Sequence, residues 1–253
     1  MTRVLQRSTA APNTLDLASA IAGTPQGDFH SDRYLRNTAR RLEHLASLGL
    51  KLENQSVLEV GAGIGDLTTF FLDRGCRVHS TEGRPDNFEV LRQRYEHESS
   101  VTTELLDLDP PPSAGPGTAY DVVFAYGVLY HVSRPDLALD YLAEATRGVL
   151  LLETIVKPGG TPGPNMWAED AELAGAAVSG MGSRPTRSWV WEQLKQRFAY
   201  VAVPVTQPRH AEFPIDWTLE SHPAATRSIF VASRTALASD QLSTVLLDRQ
   251  RRH

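Results

Sequence analysis

Glu59 stands two residues before the first glycine of the run Val57-Leu58-Glu59-Val60-Gly61-Ala62-Gly63-Ile64-Gly65-Asp66. A strand that ends in glycines lets the backbone approach a ligand, because no side chain fills the path. Two more acids follow predicted strands: Glu82 after Val78-His79-Ser80-Thr81, and Asp107 in Leu105-Leu106-Asp107-Leu108-Asp109. A carboxylate at 82 can accept from both hydroxyls of a ribose. One at 107 can accept from an adenine amino group while Leu108 packs on the ring. Acids beside the turn would repel a pyrophosphate but suit a ligand carrying an ammonium and a sulfonium. The spacing agrees. The glycines follow GxGxG, whereas a dinucleotide turn needs its third glycine one residue later, where this chain has Asp66. The residues therefore point to S-adenosylmethionine, with Glu59, Gly61, Ala62, Gly63, Glu82, Gly83, Asp107, Leu108 and Tyr126 as its expected contacts.

A second set of groups follows the fourth and fifth predicted strands. Tyr126 ends one strand, Tyr130 and His131 lie on the next turn, and Glu153 ends the other. Methyl transfer is an in-line displacement that needs alignment, exclusion of water and, for some acceptors, removal of a proton. His131 is the first candidate base, since imidazole titrates near neutrality. Tyr130 and Glu153 are the other catalytic candidates. Tyr34, Trp167, His210, Asp216 and Trp217 are candidate acceptor contacts, being aromatic or polar groups on the first helix or in two long loops. No short ligand spacing supports a metal.

The elements that position these groups read as alternating strands and helices. Strands are expected at Ser56–Val60, Arg77–Thr81, Val101–Leu105, Asp121–Ala125, Gly148–Thr154, Tyr200–Val205 and Ser228–Ala232. Helices fit a segment from Ser31 to about Leu48, then Asp66–Arg74, Arg84–Glu96, Pro135–Ala145 and Ser188–Phe198. Such alternation implies an α/β fold with a mostly parallel sheet covered on both faces. An N-terminal arm and capping helix (1–50), a catalytic domain (51–235) with acceptor loops near 157–187 and 205–227, and a C-terminal helical tail (236–253) complete the expected organisation.

Residues from about 54 to 155 resemble the class I S-adenosylmethionine-dependent methyltransferases. The resemblance rests on Val57–Asp66, on Val78-His79-Ser80-Thr81-Glu82, on Leu106-Asp107, and on Tyr120-Asp121-Val122-Val123-Phe124-Ala125-Tyr126-Gly127-Val128-Leu129-Tyr130-His131. It implies a Rossmann-like, doubly wound, seven-stranded sheet with an antiparallel last strand. It also implies donor contacts at Glu59, Gly61, Gly63, Glu82 and Asp107. The leading expectation is transfer of a methyl group to an O, N or possibly C nucleophile of a small-molecule, biosynthetic acceptor. Leu129-Tyr130-His131 with Arg134-Pro135 is similar to a turn of the carboxymethyltransferase of tRNA wobble uridine, which makes RNA alkylation the rival within the fold.

Composition narrows the field. The 253 residues, 41% apolar and 22% charged, suffice for one large α/β domain. A net charge of −5 disfavours nucleic acid, DNA above all. No apolar run approaches a membrane span, and the single Cys76 fits a reducing cytoplasm. Arg3 and Arg7, in a first segment without acids, faintly resemble a transit peptide, and a frayed arm is the preferred reading. A nicotinamide-dependent oxidoreductase and a non-catalytic donor-binding regulator are the alternatives from other classes. A monomer or homodimer is expected.

Overall fold

A computed structural model of the chain describes residues 23–253, apart from 172 and 220. The proposed arm at 1–22, with Arg3 and Arg7, lies outside the described residues. The elements run α1 (Pro25–Phe29), α2 (Asp32–Ser47), β1 (Ser56–Val60), α3 (Thr69–Leu72), β2 (Arg77–Glu82), α4 (Pro85–Arg94), β3 (Val101–Leu105), β4 (Tyr120–Tyr126), a 3₁₀ turn (Leu129–His131), α5 (Pro135–Ala145) and β5 (Thr146–Ile155). There follow β6 (Met166–Ala168), β7 (Met181–Ser183), α6 (Arg187–Arg197), β8 (Tyr200–Pro204), β9 (Thr206–Gln207), β10 (Arg227–Ser233), β11 (Leu242–Ser243) and β12 (Arg251–Arg252).

The main sheet has the order β11-β8-β10-β5-β4-β1-β2-β3. Strands β5, β4, β1, β2 and β3 are parallel, and β10 inserts antiparallel between β5 and β8. The expected seven strands are all present, and the short edge strand β11 adds an eighth. Alternation along each strand sends side chains to two cores. Leu58, Val60, Val123, Ala125, Leu150 and Leu152 face α5 and α6 residues such as Leu139, Leu142 and Leu194. Val57, Val78, Val122, Phe124 and Leu151 face Leu45, Phe71 and Leu91 on the other side. Both faces are thus covered, which is why the inner strands carry so few polar residues.

Two expectations change. Helix α3 is a single turn at Thr69–Leu72 rather than Asp66–Arg74, because residues 63–68 form consecutive turns in which Gly65 N–H bonds Ala62 O (3.0 Å) and Phe71 N–H bonds Thr68 O (3.1 Å). The segment 236–253 is not helical. It lies extended against the domain, where buried Gln250 donates to Pro204 O (2.6 Å) and accepts from Gln207 (2.9 Å) and Trp217 (2.7 Å). These bonds hold β12 beside β9 and tie the tail to the sheet edge. Cys76 is free and buried, donating Sγ–H to Leu52 O. Among the described residues no helix is long and apolar enough to cross a membrane.

The strand order reverses between β1 and β4. Open α/β sheets bind ligands in the crevice beyond the strand carboxyl ends at such a point. Gly61, Glu82 and Tyr126 all sit there.

Candidate functional site

The glycine turn leaves β1 and folds back on β2. Ala62 N–H bonds Thr81 O (2.9 Å), and Gly63 N–H bonds Glu82 Oε2 (2.8 Å). Glu82 Oε1 accepts from Arg84 N–H (2.9 Å). The carboxylate is thereby fixed at the end of β2, on the wall of a cleft. Burial raises its pKa, and the two N–H donors oppose the rise. The same cleft is lined by Gly61, Ala62, Gly63 and Gly83, by Leu106, Asp107 and Leu108 after β3, and by Tyr126 after β4. Burial raises the Asp107 carboxyl as well, while its Oδ1 accepts from Asp109 N–H (2.9 Å).

The turn uses its glycines in two ways. Gly61 has φ +69°, and a Cβ there would lie 2.8 Å from Val128 Cβ; at Gly63 it would lie 2.7 Å from the Phe29 ring. Those two positions keep the cleft open, with Phe29 of α1 lying over it. Gly65 instead faces Tyr95 and Leu91 of the α4 region, so it serves packing rather than ligand approach.

This cleft fits an adenosyl cation better than a dinucleotide. Asp66, Glu82 and Asp107 line it, and α3 starts only at Thr69, so no helix N-terminus meets the turn where a pyrophosphate would need one. Of the two arginines that line the cleft, Arg84 is engaged by the carbonyls of Ala171 (2.8 Å) and Ala176 (3.4 Å), and Arg41 pairs with Glu153 (2.5 Å). Glu82→Ala is expected to weaken S-adenosylhomocysteine binding by about 1–3 kcal/mol through lost charged hydrogen bonds, read by calorimetric titration.

Glu59 behaves otherwise than expected. It does not line the cleft: it is 1% exposed beneath the turn, where Thr68 (2.5 Å) and Ser80 (2.9 Å) donate to its Oε2. Burial pushes its pKa up to about 7, against those two hydroxyl bonds. Its place is to brace the turn from below, joining residue 68 to β2.

A second chamber, of about 540 Å³, adjoins the cleft. Tyr34, Arg41, Tyr130, His131 and Ala174–Ala176 border both spaces. Three of the sequence-predicted residues lie there: Tyr34 from α2, and Tyr130 and His131 from the 3₁₀ turn. Trp167 of β6 lines the outer wall. Sequence reasoning missed Glu169, Arg41 and Arg184, and assigned no role to Arg227. Glu169 accepts from His131 Nδ1 at 2.6 Å and from Arg184 at 3.0 Å. Nothing local marks Glu169, since it follows an isolated three-residue strand in an irregular stretch. Arg41 had no clear signal, since it shares the buried face of α2 with Asn37 and His44 as well as Leu45.

Four predicted residues stand elsewhere. Glu153 is fully buried and lines neither space, because Arg41 (2.5 Å) and Arg227 (2.9 Å) hold its two oxygens. His210 accepts Glu212 N–H through Nδ1 (3.3 Å) and meets the Phe213 ring edge-on. Asp216 caps Thr218 (2.6 Å to its hydroxyl) and pairs with Arg249 (3.3 Å). Trp217 stacks on His222 and carries the Arg187 guanidinium on its ring. None of the last three borders the cleft or the chamber, so the loop at 205–227 contributes Glu212, Ala225 and Arg227 instead.

Comparison with known proteins follows the same lines. Residues 58–148 match the family model described as a methyltransferase domain. The chain is 33% identical over 124 residues to ribosomal RNA small subunit methyltransferase A of Anaeromyxobacter dehalogenans, covering 44% of this chain and 43% of that protein. It is 32% identical over 146 residues to tRNA U34 carboxymethyltransferase of Vibrio atlanticus, covering 52% and 42% respectively. The chain thus spans less than half the length of these curated relatives. Among solved structures, magnesium protoporphyrin IX methyltransferase from Synechocystis PCC 6803 with bound S-adenosylmethionine superposes with a TM-score of 0.56 at 16% identity, over 88% of this chain and 93% of that one. That likeness is one of fold.

Proposed function

We propose that this chain, whose residues 58–148 form a class I, S-adenosylmethionine-dependent methyltransferase domain, methylates a small molecule held in the chamber beside the glycine turn. One observation carries the reading. A cleft built for an adenosyl cation opens into a separate chamber across Tyr34, Tyr130 and His131. The donor, when bound, supplies an electrophilic methyl carbon on a positively charged sulfur.

The chain's own residues do the rest. Glu82 and Asp107 offer acceptors for ribose and adenine, and Gly61 and Gly63 leave room for the ligand. Phe29 and Tyr34, in edge contact at 5.0 Å between ring centroids, shield the junction from water. His131 is the proton acceptor. Burial lowers its pKa below the usual 6.5, more than Glu169 raises it, so the ring is neutral at pH 7. Activity should therefore persist down to pH 6.5 and fall only below it. His131→Ala is expected to cut turnover by about 10²-fold or more while S-adenosylhomocysteine affinity is unchanged.

RNA is the second reading, favoured by the two RNA-modifying relatives. The chamber speaks for a small acceptor. Its arginines are internally engaged: Arg33 and Arg227 with Glu212, Arg41 with Glu153, and Arg184 with Glu169. They form no free basic track for a phosphate backbone. The test is incubation with isotope-labelled donor and either bulk tRNA or a cell extract freed of nucleic acid. Label in a small metabolite is the expected result; label in tRNA alone would replace this reading with the second.

A further inference from the structure

The hairpin β6–β7 brings one acid to the candidate base. Glu169 follows β6, and its side chain is 6% exposed. Three donors fix it: Oε2 accepts from His131 Nδ1 (2.6 Å) and Ala177 N–H (2.8 Å), and Oε1 accepts from Arg184 Nη1 (3.0 Å). Burial opposes ionisation of Glu169, yet these donors outweigh it and bring its pKa down to about 2. The carboxylate is therefore charged at neutral pH, and a carboxylate only accepts. The shared proton belongs to His131 Nδ1, which leaves Nε2 with a lone pair. The histidine borders both the donor cleft and the acceptor chamber.

The hairpin is built to keep this contact. Gly182 of β7 packs so close to Tyr130 O that a Cβ would not fit, and Arg184 Nη1 donates to the same carbonyl (3.2 Å). On the other side, Arg84 donates to Ala171 O (2.8 Å) and Asn87 to Ala174 O (2.9 Å). One loop thus reaches the base and the start of α4 together.

We propose that Glu169 is the positioning residue of His131, holding it in the Nδ1–H form so that Nε2 takes a proton, and that the acceptor is a group that must lose a proton, a hydroxyl or an ammonium, before its atom attacks. The second half rests on the methyltransferase reading above. A carboxylate has no proton to lose, whereas an alkylamine is protonated at neutral pH and must shed that proton before its lone pair can attack. A hydroxyl is a poor nucleophile until its proton is drawn off. The balance is simple: an O–C or N–C bond forms, the C–S bond breaks with its electron pair going to sulfur, and the proton of the hydroxyl or ammonium passes to Nε2. The resulting imidazolium sits against the Glu169 carboxylate, which offsets its charge.

The test uses the full chain labelled with ¹⁵N-histidine, with the His131 signal assigned by its loss in His131→Gln. Long-range ¹H–¹⁵N spectra report which ring nitrogen carries the proton, with and without S-adenosylhomocysteine. The expected result is the Nδ1–H form in the parent and a mixture of tautomers with a lower His131 pKa in Glu169→Gln, where the charge that favours imidazolium is gone. A proton on Nε2 in the parent overturns the positioning role, whether or not any variant folds. So does an unchanged tautomer in Glu169→Gln. In turnover with donor and cell extract, Glu169→Gln should lower kcat about 10- to 100-fold with KM within about threefold, and Glu169→Asp should recover part of the loss. Mass spectrometry should find a methyl ether or an N-methyl amine; a methyl ester overturns this assignment of the acceptor. No S-adenosylhomocysteine binding at all would overturn the methyltransferase reading instead, with the tautomer still deciding the role of Glu169.

Discussion

Gly61→Arg is expected to abolish S-adenosylhomocysteine binding, with affinity falling by about 10²-fold or more, or at least 2.7 kcal/mol. Two effects combine. Gly61 has φ +69°, a region where any side chain is strained by about 1–2 kcal/mol. A Cβ would also stand 2.8 Å from Val128 Cβ, so the turn or the residue opposite must shift. Beyond Cβ, the arginine has to enter the cleft or push Val128 aside, and Val128 itself lines that cleft. A guanidinium placed there would also repel a sulfonium. The measurement is calorimetric titration, with circular dichroism to confirm that the sheet is retained. Binding within tenfold of the parent would mean that the ligand does not pass over this turn.

Arg227→Met should destabilise the fold by about 3–5 kcal/mol, a large share of the stability of any single domain. Arg227 is 7% exposed and donates to Glu153 (2.9 Å), Glu212 (2.7 Å) and the Tyr130 hydroxyl (3.2 Å). Burial would lower its pKa, but the two carboxylates more than compensate and hold it above its usual value. Removal leaves Glu153 with Arg41 alone, and Glu212 with Arg33 and Asn37. Urea denaturation is the readout. Arg33→Met is the control: its side chain is 70% exposed, so its pair with Glu212 is screened and its loss should cost about 1 kcal/mol or less. Equal losses in the two variants would show that burial does not set the strength of this network.

The donor half of the site was legible because its parts are local. Strand, glycine turn and strand-end acid repeat within short stretches, and Gly61, Glu82 and Asp107 needed only the parallel order of β1, β2 and β3 to converge. Glu59 was misplaced for a physical reason: side chains alternate along β1, so the residue two before the glycine can point under the turn as readily as into the cleft. The acceptor half was less legible. Tyr34, Tyr130 and His131 line the junction of cleft and chamber, but the groups that surround them come from far along the chain. Glu169 meets His131 from 38 residues away, and Arg33 meets Glu212 from 179 away. Such pairs leave no periodicity to read. The tail at 236–253 is not the expected helix, because its conformation follows from tertiary bonds to Gln250.

The bonds made by the loop between β6 and β7 differ in kind, and that difference bears on how its sequence can vary. Arg84 and Asn87 are met by carbonyls of Ala171, Ala174 and Ala176, which any residue but one of altered backbone shape would present. Glu169 contributes its side chain. Identity at Ala171, Ala174 and Ala176 is therefore free to drift or to be redesigned for another acceptor, provided the number of residues is kept. A transplanted loop of different length would lose its grip on α4 even with an acid at its start. One of equal length without that acid would stay anchored and leave the histidine unaccompanied.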